Sequence, residues 1–185
     1  MSMSDSLGLM AAVLGGVFLL VAVAAWMMMP RWPLLASRIP RDRTAGSVLM
    51  FAAVGWLAFA AIEMIGLDSE STLRLIILLL VPALTILFAS TLDFLVARAL
   101  GGLLLLACVR LIDLAVWTNL PMRPLFAAVC YVVSLAGFVL VIAPWLLRDL
   151  LANCATRPGW RWGTALVALL AGVCLVVFSV VGFCL

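Results

Sequence analysis

The sequence predicts an all-α fold, a polytopic bundle of six transmembrane helices, and three observations carry that reading. Of 185 residues, 68% are hydrophobic and only 10% charged. Soluble domains carry about 25% charged residues, so a water-excluded globular core does not describe this chain. The apolar residues fall into six runs, at about 7–29, 45–66, 72–90, 96–117, 125–147 and 163–185. Each comes close to or exceeds the ~20 residues needed to cross about 30 Å of hydrocarbon at about 1.5 Å per residue. Finally, the charges gather between the runs, with arginine concentrated on alternate connections. The whole chain, 1–185, reads as one integral membrane domain.

The first run, 7–29, follows a polar start whose only charge is Asp5. A secretory leader has a positive n-region and a shorter apolar core, so this run is expected to stay as a span. The connection 30–44 reads PRWPLLASRIPRDRT and holds Arg31, Arg38, Arg41 and Arg43 against Asp42. Its three prolines rule out a continuous helix. Trp32, Leu34, Leu35 and Ile39 alternate with the arginines closely enough to lie on a membrane surface. Two readings follow: an orientation determinant with interfacial anchors, or a docking loop for lipid headgroups or a partner.

The second run, 45–66, opens on Ala45-Gly46-Ser47, small residues that let helices approach. It carries Trp56 near its middle and Glu63 near its end. A short acidic connection with Asp68 and Glu70 leads to the third run, 72–90, with Arg74 at its start and Pro82 at its centre. Pro82 removes a helical hydrogen bond and is expected to kink the helix. Thr85, three residues on, is placed to help satisfy the freed carbonyls. The kink is either a shape feature or a flexing point.

The fourth run, 96–117, is the most informative. Arg98 opens it, and Gly101-Gly102 offers a smooth patch to a neighbour. Arg110 and Asp113 then sit inside hydrocarbon, three residues apart and on one helical face. Intramembrane charges face a bundle interior, a watery cavity or one another. The pair is therefore expected to be the polar feature around which the other helices pack. After a short connection with Pro121, Arg123 and Pro124 comes the fifth run, 125–147, with Tyr131 and Gly137, where Pro144 and Trp145 mark the end. The stretch 148–161 is read as a polar loop with Arg148, Asp149, Arg157, Trp160 and Arg161, and the sixth run, 163–185, closes the sequence.

An even number of spans puts both termini on one side. The other side then carries Arg31, Arg38, Arg41, Arg43, Arg98, Arg148, Arg157 and Arg161, against only Arg74 and Arg123 opposite. Positive loops remain cytoplasmic, so both termini are expected outside. Trp26, Trp32, Trp145, Trp160 and Trp162 fall near the cytoplasmic boundary, where interfacial aromatics belong. All eleven basic residues are arginine. That usage suits a GC-rich genome, and the bundle is expected in a bacterial inner (cytoplasmic) membrane. In this orientation Arg110 lies about 10 Å and Asp113 about 6 Å below the outer boundary. Glu63 falls at similar depth near the outer end of the second run, and Arg74 at the outer start of the third. The four residues Glu63, Arg74, Arg110 and Asp113 are expected to form one outer-leaflet polar cluster, either a structural ion-pair set or a pocket for an ion, proton or anionic headgroup.

Several chemistries are excluded. Without histidine there is no His-ligated haem or zinc and no Ser-His or Cys-His catalysis. Cys108, Cys130, Cys154, Cys174 and Cys184 form no C-x-x-C and read as packing residues. No metal site, no cofactor and no nucleic-acid partner are expected. H-E-x-x-H, G-x-S-x-G and Walker patterns are absent. Asp93 and Asp113 stand at opposite ends of one helix and cannot form an aspartate dyad. An inverted three-plus-three repeat is not visible.

The chain therefore reads as a non-catalytic integral membrane subunit or scaffold of a larger bacterial complex, with lipids and other membrane subunits as partners. One alternative is a small transporter or channel using the outer cluster, with Pro82 flexing. A further one is a lipid-handling enzyme with Glu63 or Asp113 as base.

Overall fold

The structure is a computed structural model that describes residues 3–28, 43–66, 72–91, 94–118 and 122–183. These residues form seven α-helices and one π-helical turn, with no strand among them. The helices are α1 (Met3–Val23), continued by the π turn Ala24–Met28, α2 (Arg43–Ile65), α3 (Thr72–Thr91), α4 (Leu95–Trp117), α5 (Arg123–Ile142), α6 (Trp145–Thr156) and α7 (Pro158–Phe183). All but α6 are long and apolar enough to cross a membrane, which makes six candidate spans. The predicted fold class is thus the observed one. Arg31, Arg38 and Arg41 of the first connection lie outside the described residues, whereas Arg43 begins α2.

Helices form here because a backbone in hydrocarbon must satisfy its own polar groups. Where they stop is set locally. Gly66 ends α2 with φ +67 and donates its N–H to Ile62 O at 3.1 Å. That left-handed cap is easily reached only by glycine. Phe94 and Met122 precede α4 and α5 with φ 55 and 59, uncommon for residues with a side chain, and mark two tight entries into the bundle.

The fifth span differs from its apolar pattern. Hydropathy runs on to residue 147, but α5 ends at Ile142. Pro144 has no N–H to continue the ladder and disfavours a helical Ala143, which adopts φ −121, ψ 68. The chain restarts as α6, so the expected loop 148–161 is instead helix α6 followed by the first turn of α7. With 12 residues α6 is about 18 Å long, too short to cross. It packs on α7, with Cys154 Sγ 3.2 Å from Thr164 Oγ1.

α1, α4, α5 and α7 make a four-helix unit, and the hairpin α2–α3 is applied to it through α4. Two reciprocal glycine contacts set the unit. A Cβ on Gly101 would fall 2.5 Å from Gly137 O, and one on Gly137 would fall 2.9 Å from Gly101 O. Gly15 and Gly172 relate α1 to α7 in the same way, each 3.0 Å from the other's carbonyl. Backbones touch at these points, as small residues permit in membranes. Gly102, by contrast, has open space beside it, so only half of the expected smooth patch is used.

The larger core lies where α1 and α5 begin and α4 and α7 end. It joins Leu7, Leu111, Phe126, Leu175 and Phe178 around Cys108 and Cys130. Phe126 and Phe178 meet edge to face at 5.0 Å. Ser179 crosses this region and donates to Gly8 O at 2.6 Å. A second core joins Met50, Val54 and Ala58 of α2, Val81 of α3, and Leu95 and Ala99 of α4. Cys108, Cys130 and Cys154 are buried, in keeping with packing roles.

α3 is the least buried of the six spans. It continues helically through Pro82. The Thr85 hydroxyl donates to Val81 O at 2.8 Å. The carbonyl that Pro82 leaves without its helical donor is that of Leu78, four residues back, so Thr85 serves a different carbonyl from the one expected.

Candidate functional site

The charged residues of the fourth span are organised by the two faces of α4. Cys108, Leu111 and Ala115 turn into the four-helix core. Leu106, Arg110, Asp113 and Trp117, at helical spacing, occupy the opposite stripe. Lower on α4 that stripe carries Leu95 and Ala99, which pack on α2 and α3. Higher up, α2 and α4 stand apart and leave a groove of about 450 Å³. Trp56, Phe59, Glu63, Arg110 and Asp113 are among its lining residues.

Register explains the meeting of Glu63 with Arg110. A Cβ on Gly46 would lie 3.0 Å from Leu95 Cβ and 3.2 Å from Val96 N, so α2 and α4 are level at that point. Equal steps along both helices bring Glu63 level with Ile112 and Asp113. Two carboxylates therefore flank one guanidinium. Arg110 Nη2 lies 3.2 Å from Glu63 Oε2, and Nη1 lies 3.5 Å from Asp113 Oδ2. Trp117 Nε1 donates to Asp113 Oδ1 at 3.2 Å. The trio carries one net negative charge when ionised.

Burial is the decisive property of this site. The three charged side chains are 42–50% exposed and open outward from the bundle. The expectation that the other helices pack around Arg110 and Asp113 is corrected here. The core forms on the far face of α4, because apolar side chains fill it without unpaired charges. Arg74 stands in the first turn of α3 and does not line the groove, so the structure assembles three of the four expected cluster residues. Trp56, Phe59 and Trp117 were not expected at the site. Their spacing was the available clue: Trp56 and Phe59 precede Glu63 by seven and four residues, and Trp117 follows Asp113 by four.

The arginine-rich end is arranged differently. Arg148 is paired there, through Nε and Nη2 to Asp149 Oδ1 at 2.9 and 2.8 Å. Among the described residues Arg43, Arg98, Arg157 and Arg161 make no ion pair. The Nε atoms of Arg98 and Arg161 are buried without an acceptor. No group of His, Cys, Asp or Glu side chains suited to a metal ion occurs among the described residues. No family model, curated protein or solved structure matches the chain.

Proposed function

We propose that the chain is a non-catalytic subunit or scaffold of a larger complex in a bacterial inner membrane, with both termini outside. The observation that carries this reading is the outward-facing Glu63–Arg110–Asp113 trio. Ionised groups within a span are costly against lipid and persist where protein or water covers them. A transmembrane helix of another subunit, laid along the α2–α4 groove, would cover these. α3 also leaves most of its surface uncovered. A transport path through the four-helix unit has less support, since apolar side chains fill its interior at this end. The uneven distribution of arginine supports the orientation.

The test is purification from the native membrane in mild detergent, followed by native mass measurement. Other subunits should accompany the chain in fixed ratio. Arg110→Leu and Glu63→Gln should insert normally yet lose them. A chain that runs alone before and after substitution refutes the reading, and transport in liposomes then becomes the experiment to make.

A further inference from the structure

At the arginine-rich end, α1 finishes in the π turn Ala24–Met28, a widened geometry that recurs at functional positions. The turn carries Trp26, whose ring meets Trp162 of α7 edge to face with centroids 3.9 Å apart. Beside this pair lies a cavity of about 370 Å³ lined by Trp26, Pro158, Arg161 and Trp162. It would hold roughly a dozen water volumes, ample for a phosphate group and its substituent. Among the described residues Arg161 contributes a guanidinium with no carboxylate partner and a buried Nε without an acceptor. Its planar fork matches phosphate oxygens.

We propose that this cavity is a binding site for the phosphate of an anionic phospholipid headgroup, with Arg161 as the anion partner and Trp26 and Trp162 as its walls. Three features favour a lipid over a soluble phosphate. The site stands at the end of two membrane spans. Its walls are amphipathic indoles, which prefer the headgroup layer. Unpaired Arg43, Arg98 and Arg157 give that end a positive field, which attracts anionic lipid. The inference does not depend on the subunit reading, since a solitary protein would bind the lipid equally.

The purified full chain, stripped of lipid in mild detergent, is titrated with short-chain phosphatidylglycerol, with phosphatidylcholine of the same chain length, and with inorganic phosphate. Bound molecules are counted by native mass. Phosphatidylglycerol should give one saturable adduct, weakened about tenfold or more by Arg161→Gln, the effect of losing one charged hydrogen-bond partner. Arg157→Gln removes the same charge outside the cavity and should change binding less than about threefold. Trp26→Leu, on the other helix, should weaken the adduct too, and it decides the matter if Arg161→Gln fails to fold. Equal binding of phosphatidylcholine overturns the proposal. So does equal loss in Arg157→Gln and Arg161→Gln, or displacement of the lipid by inorganic phosphate at the same concentration.

Discussion

Replacing Gly101 by alanine tests the packing on which the four-helix unit rests. The new Cβ would stand 2.5 Å from Gly137 O, 2.8 Å from Val141 Cγ2 and 3.1 Å from Val141 N. Non-bonded carbon contacts settle at about 3.5–4.0 Å, so α4 and α5 must part by roughly 1 Å. Two of the three obstructing atoms belong to the α5 backbone and cannot rotate away. The helix has to move as a body, and a gap of that size forfeits about a quarter to a half of each contact along the seam. Overpacking of this kind costs about 1–3 kcal/mol. Alanine's better helix propensity returns at most about 1 kcal/mol. Gly102→Ala is the matched control, because among the described residues no atom of another helix lies within 4 Å of its Cβ. Denaturant or thermal unfolding of the detergent-purified protein, read by tryptophan fluorescence, separates the two. Gly101→Ala should be about 1–3 kcal/mol less stable than Gly102→Ala, since both gain the same propensity and only the first is overpacked, and Gly102→Ala should be neutral or slightly stabilised. Equal effects of the two substitutions would refute the backbone contact as the determinant of this interface.

Ser179→Ala removes the 2.6 Å bond to Gly8 O that ties the end of α7 to the start of α1. Interhelical hydrogen bonds in membranes are worth about 0.6 kcal/mol and at most about 1.7, so the same unfolding assay should register a loss in that range. A Ser179→Ala variant as stable as the parent would show that the bond contributes nothing net. For orientation, a C-terminal reporter active only in the cytoplasm should stay silent, while the same reporter inserted in the connection 30–44 should be active. The reverse pattern would overturn the proposed arrangement.

Much of the architecture was legible residue by residue. Six apolar runs become six candidate spans because span length and hydropathy are properties of a segment taken alone. The pairing of Arg110 with Asp113 follows from helical spacing on one segment and is observed. Glu63 joins them as its depth near the end of α2 suggested. The end of the fifth span is not legible in hydropathy, because Trp145, Leu146 and Leu147 continue the apolar run, whereas the break obeys the missing N–H of Pro144.

What segments taken alone could not decide is which face of each helix meets which neighbour. Arg110 and Asp113 mark one face of Leu95–Trp117, but nothing in the pattern says whether that face or the face of Cys108 and Leu111 turns into the bundle. In lipid no hydrophobic force drives helices together, and close packing makes the choice. Reciprocal glycine contacts at Gly101–Gly137 and Gly15–Gly172 set which helices touch, and Gly46 sets the register of α2 on α4. From those contacts follow the apolar plug within the unit and the charged trio outside it. The sequence alone therefore determined the spans, their charge asymmetry and the Arg110–Asp113 pair. The tertiary structure alone decided that this pair looks outward, because that depends on neighbours whose contacts are not written in any one segment.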